Sequence, residues 1–128
     1  MIVGKEFTFD AAHFLPNYEG KCANMHGHTY RLRVEVKGHL DVETAMVVDF
    51  GDLKRVVKKA VIDEYDHTLL NDKMIFEFSR PTAEVLAQMI FATLHKVWSD
   101  DNLPGEIYCV ELWETPTSWC RVKKEDVW

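Results

Sequence analysis

The 128-residue sequence contains no apolar run near the ~18 residues that a membrane-spanning helix needs. Its N-terminus also lacks the apolar core of a secretory signal, so a soluble, cytoplasmic protein is expected. Cysteine is scarce: Cys22, Cys109 and Cys120 form an odd set without the paired spacing of a zinc ribbon or redox motif, which suits free thiols in a reducing compartment. Glycine (6) and proline (4) are few and no segment is repetitive, which excludes fibrous and disordered classes. A basic excess is missing as well. Lys and Arg total 15 against 21 Asp and Glu, a formal net charge of −6, which argues against nucleic acid as a partner because such proteins carry a basic stripe. The one dense basic run, Lys54, Arg55, Lys58 and Lys59, falls at helical spacing and reads as a solvated helix face.

What the sequence does have is an ordinary globular balance, 47% hydrophobic and 28% charged residues. A single domain over residues 1–128 is expected, large enough to bury roughly two-thirds of its unfolded surface without disulfides. Apolar residues take odd positions at Val3, Phe7, Phe9 and Ala11 and even positions at Tyr30, Leu32, Val34 and Val36, the period of half-buried strands. Leu53, Val56, Val57, Ala60 and Val61 then recur at threes and fours behind Asp49, a credible N-cap. A second helix follows Pro81, capped by Thr82, with Leu86, Met89, Ile90, Thr93, Leu94 and Val97 as its stripe and a stop between Ser99 and Gly105. Strands return over residues 106–114 and 118–123, joined through Thr115, Pro116 and Thr117. The order ββααββ predicts an α+β fold: a four-stranded antiparallel sheet with two helices on one face.

His26 and His28 lie two apart where the second strand begins, so both side chains leave one face, and His13 shares the parity of Phe7 and Phe9 on a strand expected to pair beside it. Three converging imidazoles suit a catalytic zinc with an open fourth position, although a histidine on an apolar face also serves as plain core. Cys22, four residues before His26, reads either as a thiol activated beside the metal or as a fourth ligand. Asp66 beside His67 is a proton-transfer pair or a surface pair. Glu114 at a strand end is solvated, or accepts the adjacent N–H groups of a guanine-like ring. Cys109 and Cys120 fall inside predicted strands, as packing residues.

Taken together, residues 9–13, 22–28, 66–71, 81–84 and Glu114 with Thr115 resemble the 6-pyruvoyl-tetrahydropterin synthase family over nearly the whole chain. The three residues between Cys22 and His26 look like the 6-carboxy-5,6,7,8-tetrahydropterin synthase branch of queuosine (7-deazapurine) biosynthesis. The resemblance implies a carbon–carbon lyase of tunnelling fold. In it, Zn2+ is held by His13, His26 and His28, Cys22 is the base, and Asp66 and His67 complete its relay. Glu114 binds the pterin with Thr82 and Thr115, and Glu84 belongs to the same motif while also suiting the helix N-terminus. The implied reaction turns 7,8-dihydroneopterin triphosphate into 6-carboxytetrahydropterin with release of acetaldehyde and triphosphate. A homo-oligomer, commonly a hexamer, is implied too, leaving open whose zinc Asp66 and His67 serve. The rival branch eliminates triphosphate to give the pyruvoyl product, and an aldolase-like relative is disfavoured by Cys22. On spacing alone, a metal hydrolase or a module with structural zinc would compete, and Fe2+ or Ni2+ would accept the same imidazoles. Lys21, Arg31 and Arg121 are the candidate cations for the triphosphate or the product carboxylate.

Overall fold

The computed structural model describes residues 1–127. Strand β1 (Ile2–His13) pairs antiparallel with β2 (His26–Lys37), placing Phe7 opposite Leu32, Phe9 opposite Tyr30 and His13 opposite His26. This register follows from the period of two, because one slip would turn Tyr30, Leu32, Val34 and Val36, all fully buried, out to water. Helix α1 (Phe50–Val57) starts where Asp49 Oδ1 accepts the Gly51 amide at 2.6 Å, and it runs through a π-helical turn (Lys58–Ile62) into α2 (Asp63–Tyr65). Strand β3 (Thr68–Leu69) follows. Helix α3 (Ala83–Asp100) is capped by Thr82, whose Oγ1 accepts the Val85 amide at 3.3 Å. Strands β4 (Glu106–Trp113) and β5 (Trp119–Lys123) follow, and α3 packs over both.

The sheet corrects the predicted one. It has five strands in the order β3-β1-β2-β4-β5, and β3 lies parallel to β1 at Ala11 and Ala12, so the sheet is mixed rather than four-stranded and antiparallel. Two residues carry no readable period, which is why the sequence hid β3. The stripe of α3 is corrected as well. Ala87, Phe91 and Trp98 are buried with Leu86, Ile90 and Leu94, whereas Thr93 is exposed. Leaving α3, the Trp98 indole donates to Pro104 O at 3.0 Å and the chain turns at Gly105. Gly105 has φ 72°, and a Cβ there would stand 2.8 Å from Lys37 O, so glycine is required on both counts. One apolar cluster joins the inner sheet face to α1 and α3, from Phe9 and Leu32 to Leu53, Leu94 and Leu112. No helix among the described residues is long and apolar enough to cross a membrane.

Candidate metal centre and reaction cleft

The pairing of β1 with β2 sets His13 against His26, and the pleat returns His28 to the same face. The three Nε2 atoms meet there, with His13 Nε2 3.0 Å from His26 Nε2 and 3.1 Å from His28 Nε2. Two of the rings are turned by main-chain acceptors. The Nδ1–H of His13 donates to Pro81 O and that of His26 to Asn24 O, each at 2.7 Å. A carbonyl can only accept, so both rings are the Nδ1–H tautomer and present bare Nε2 lone pairs. Facing lone pairs at 3.0 Å repel unless a cation stands between them. The donor set therefore fits a zinc-type ion: two nitrogens each about 2.05 Å from it and 3.0–3.1 Å apart subtend about 95°, somewhat below the tetrahedral angle. His28 is held toward the neutral, ligating form, chiefly because burial lowers its pKa, with the other two histidines adding and Glu114 opposing.

His13, Cys22, Thr82, Glu114, Ser118 and Cys120 line one cleft of about 280 Å³. Cys22 sits in a single 3-10 turn (Lys21–Ala23), fixed where its carbonyl accepts the Leu15 amide at 2.7 Å. Glu114 aims its carboxylate at the histidines, Oε1 3.8 Å from His28 Nε2 and Oε2 3.9 Å from His13 Nε2. Thr82 lines the cleft while its Oγ1 accepts the Val85 amide at the helix cap. Thr115 is placed otherwise. Its Oγ1 accepts the amides of Thr117 and Ser118, tying the β4–β5 turn, and it does not line the cleft. Glu84 lines it, although exposed.

Asp66 and His67 lie elsewhere. They stand beside β1 with Asp66 Oδ2 3.0 Å from His67 Nδ1, next to a second opening of about 470 Å³ lined by Asp10, Gly27, His28, Thr29 and His67. Within one chain the pair does not share the cleft of Cys22, and of the three clustered histidines only His28 borders the second opening. The Asp66 carboxyl is held below its usual range, first by the Asp10 amide at 2.9 Å and then by His67.

Sequence reasoning missed several contributors. Asn71 clamps the residue after His13, accepting the Phe14 amide at 3.0 Å and donating to the Phe14 carbonyl at 2.9 Å. Cys120, expected only to pack, also lines the cleft, where burial, with Glu84 and Glu114 adding, pushes its thiol up to about 11. Ser118, read as the first residue of the last strand, gave no signal that it would line the cleft. Arg31 lies over the Trp113 ring at 4.3 Å and Arg121 grips Glu111 at 2.9–3.0 Å, and neither lines the cleft of Cys22.

Residues 2–125 match the family model described as 6-pyruvoyl tetrahydropterin synthase. The 6-carboxy-5,6,7,8-tetrahydropterin synthase of Haemophilus influenzae is 40% identical over 95% of this chain and 98% of its own length. The enzyme of that name from Synechocystis is 43% identical, covering 94% and 91% of the two chains. Among solved structures, Caenorhabditis elegans 6-pyruvoyl tetrahydropterin synthase superposes with a TM-score of 0.85 at 29% identity, over 96% of this chain and 94% of that one. With a family model spanning nearly every residue and relatives this similar over their full length, the chain belongs to the 6-pyruvoyl tetrahydropterin synthase family.

Proposed function

We propose that the protein converts 7,8-dihydroneopterin triphosphate and water to 6-carboxy-5,6,7,8-tetrahydropterin, acetaldehyde and triphosphate, in the queuosine pathway. His13, His26 and His28 would hold zinc and leave its fourth position to the substrate side chain. When bound, that ion supplies Lewis acidity that makes protons on carbons beside the side-chain oxygens removable near neutral pH. The Cys22 thiolate takes such a proton, being in the same cleft as His13. His67, oriented by Asp66, returns protons from its own or a neighbouring subunit. Glu114 accepts the paired N–H groups of the pterin, Thr82 adds a hydroxyl donor, and Thr115 keeps the β4–β5 turn that carries Glu114 in place. The whole chain acts as one domain within a cytoplasmic homo-oligomer, a hexamer by family resemblance, with neither nucleic acid nor membrane as partner.

One observation carries the chemistry: the Nε2 atoms of His26 and His28 lie 3.0 and 3.1 Å from that of His13, two of the three rings have Nδ1 committed to carbonyls, and His13 stands at the wall of a cleft that holds a free cysteine. The choice of branch is supported by relatives of that name at 40% and 43% identity. The second reading, elimination of triphosphate to the pyruvoyl product, is favoured by the similarity to the Caenorhabditis elegans enzyme. Mass spectrometry of products from dihydroneopterin triphosphate, with metal content measured on the same sample, separates them. The expected result is the carboxy product with acetaldehyde, and pyruvoyltetrahydropterin alone would overturn it.

A further inference from the structure

Resting on the reading that His67 moves protons, we infer that Asp10 and Thr29 are positioning residues that hold the Asp66–His67 pair in its working geometry. His67 has φ 58°, a left-handed conformation that a non-glycine residue adopts only when its surroundings hold it there. The main chain of Asp10 holds the two residues from both ends, and its carboxylate backs them from within 4.8 Å. Its carbonyl accepts the His67 amide at 2.6 Å, and its own amide donates to Asp66 Oδ1 at 2.9 Å, while Asp66 Oδ2 lies 3.0 Å from His67 Nδ1. The three links close a ring of contacts that fixes where the imidazole stands relative to β1.

The side chain of Asp10 is fixed in turn. Asp10 and Thr29 are direct partners across β1 and β2, and the Thr29 hydroxyl donates to Asp10 Oδ1 at 2.5 Å. A β-branched threonine has few rotamers, so the bond keeps the carboxylate from swinging along the exposed face. Asp10, Asp66 and His67 each offer a polar atom within 4.8 Å of the others, so an imidazolium formed at His67 would face two carboxylates rather than one. Asp10, Thr29 and His67 line the second opening, away from the cleft of Cys22, and Asp66 stands beside them.

Steady-state kinetics of Thr29→Val and Asp10→Asn, alone and combined with His67→Ala, test this. Each single change should lower kcat about tenfold with KM within about twofold, the signature of a displaced proton-transfer group. Metal content should stay at the wild-type level, and Thr29→Ser, which keeps the hydroxyl, should restore kcat. In the His67→Ala background neither change should cost anything more, because a residue acting through His67 has nothing left to position. Full additivity in that background, or loss of metal from Thr29→Val, would overturn the inference and assign Thr29 to the neighbouring ligand His28. A fully active His67→Ala would instead overturn the relay reading on which it rests.

Discussion

Removing the ion should cost the protein much of its thermal margin, and the triad geometry says why. With Nδ1 of His13 and His26 committed to carbonyls, the apo protein holds bare lone pairs 3.0 Å apart, and an ion relieves that repulsion only in the folded chain. A ligand that binds only the native state stabilises by about 2.7 kcal/mol at one hundred times its Kd. For 128 residues the unfolding entropy is about 0.27 kcal/mol/K, so the midpoint should rise by about 10 °C on adding zinc to chelated protein. Differential scanning calorimetry at fixed protein concentration, with zinc titrated into EDTA-treated and desalted protein, reads this directly. His13→Ala should abolish the shift, while His95→Ala, outside the triad, should keep it. An equal shift in His13→Ala, or none in wild-type protein shown by elemental analysis to have taken up zinc, would refute the reasoning.

Cys22→Ala should lower kcat by about two to four orders of magnitude while zinc content is unchanged, because the thiol is assigned to proton transfer and not to ligation; loss of metal in that variant would make Cys22 a ligand. The Tyr30 hydroxyl is buried with no hydrogen-bond partner among the described residues, so Tyr30→Phe should leave stability unchanged or raise it by up to about 1–2 kcal/mol in urea melts, and a clear loss would reveal a hidden acceptor. The lowered pKa of His28 makes the unfolded chain bind more protons than the folded one just below the ordinary histidine value of 6.5. Stability of the chelated protein should therefore rise with pH through that window and fall on acidification, a slope that His28→Gln should flatten in melts from pH 5 to 8.

The parts of the fold legible in the sequence are those with a period. Alternation at Tyr30, Leu32, Val34 and Val36 placed β2 and its inner face, and the same parity carried His26 and His28 to the face where they meet His13. Asp49 and Thr82 announced their helices through side chains that accept amides, as they do. On α3 the three-and-four spacing admitted two adjacent stripes, and the burial of Phe91 and Trp98 chose the one that excludes Thr93. What lay beyond reach was the side of a strand to which a distant element returns. Thr68 and Leu69 dock on the free edge of β1 by main-chain pairing alone, so nothing in their side chains foretold that Asp66 and His67 would stand apart from Cys22. Asp10 and Thr29 were hidden for a related reason: polar residues at outward parity look like solvated surface until their bonds are seen.

The bond from His13 Nδ1 to the carbonyl of Pro81 joins residues 68 apart in the chain, and that carbonyl directly precedes the residue that caps α3. The orientation of a metal-facing ring is thereby geared to the first turn of a helix that never reaches the ion. Substitutions along that turn would rotate the imidazole and retune cation affinity from a distance, giving natural variation a dial on the centre that leaves every chemical group in it intact.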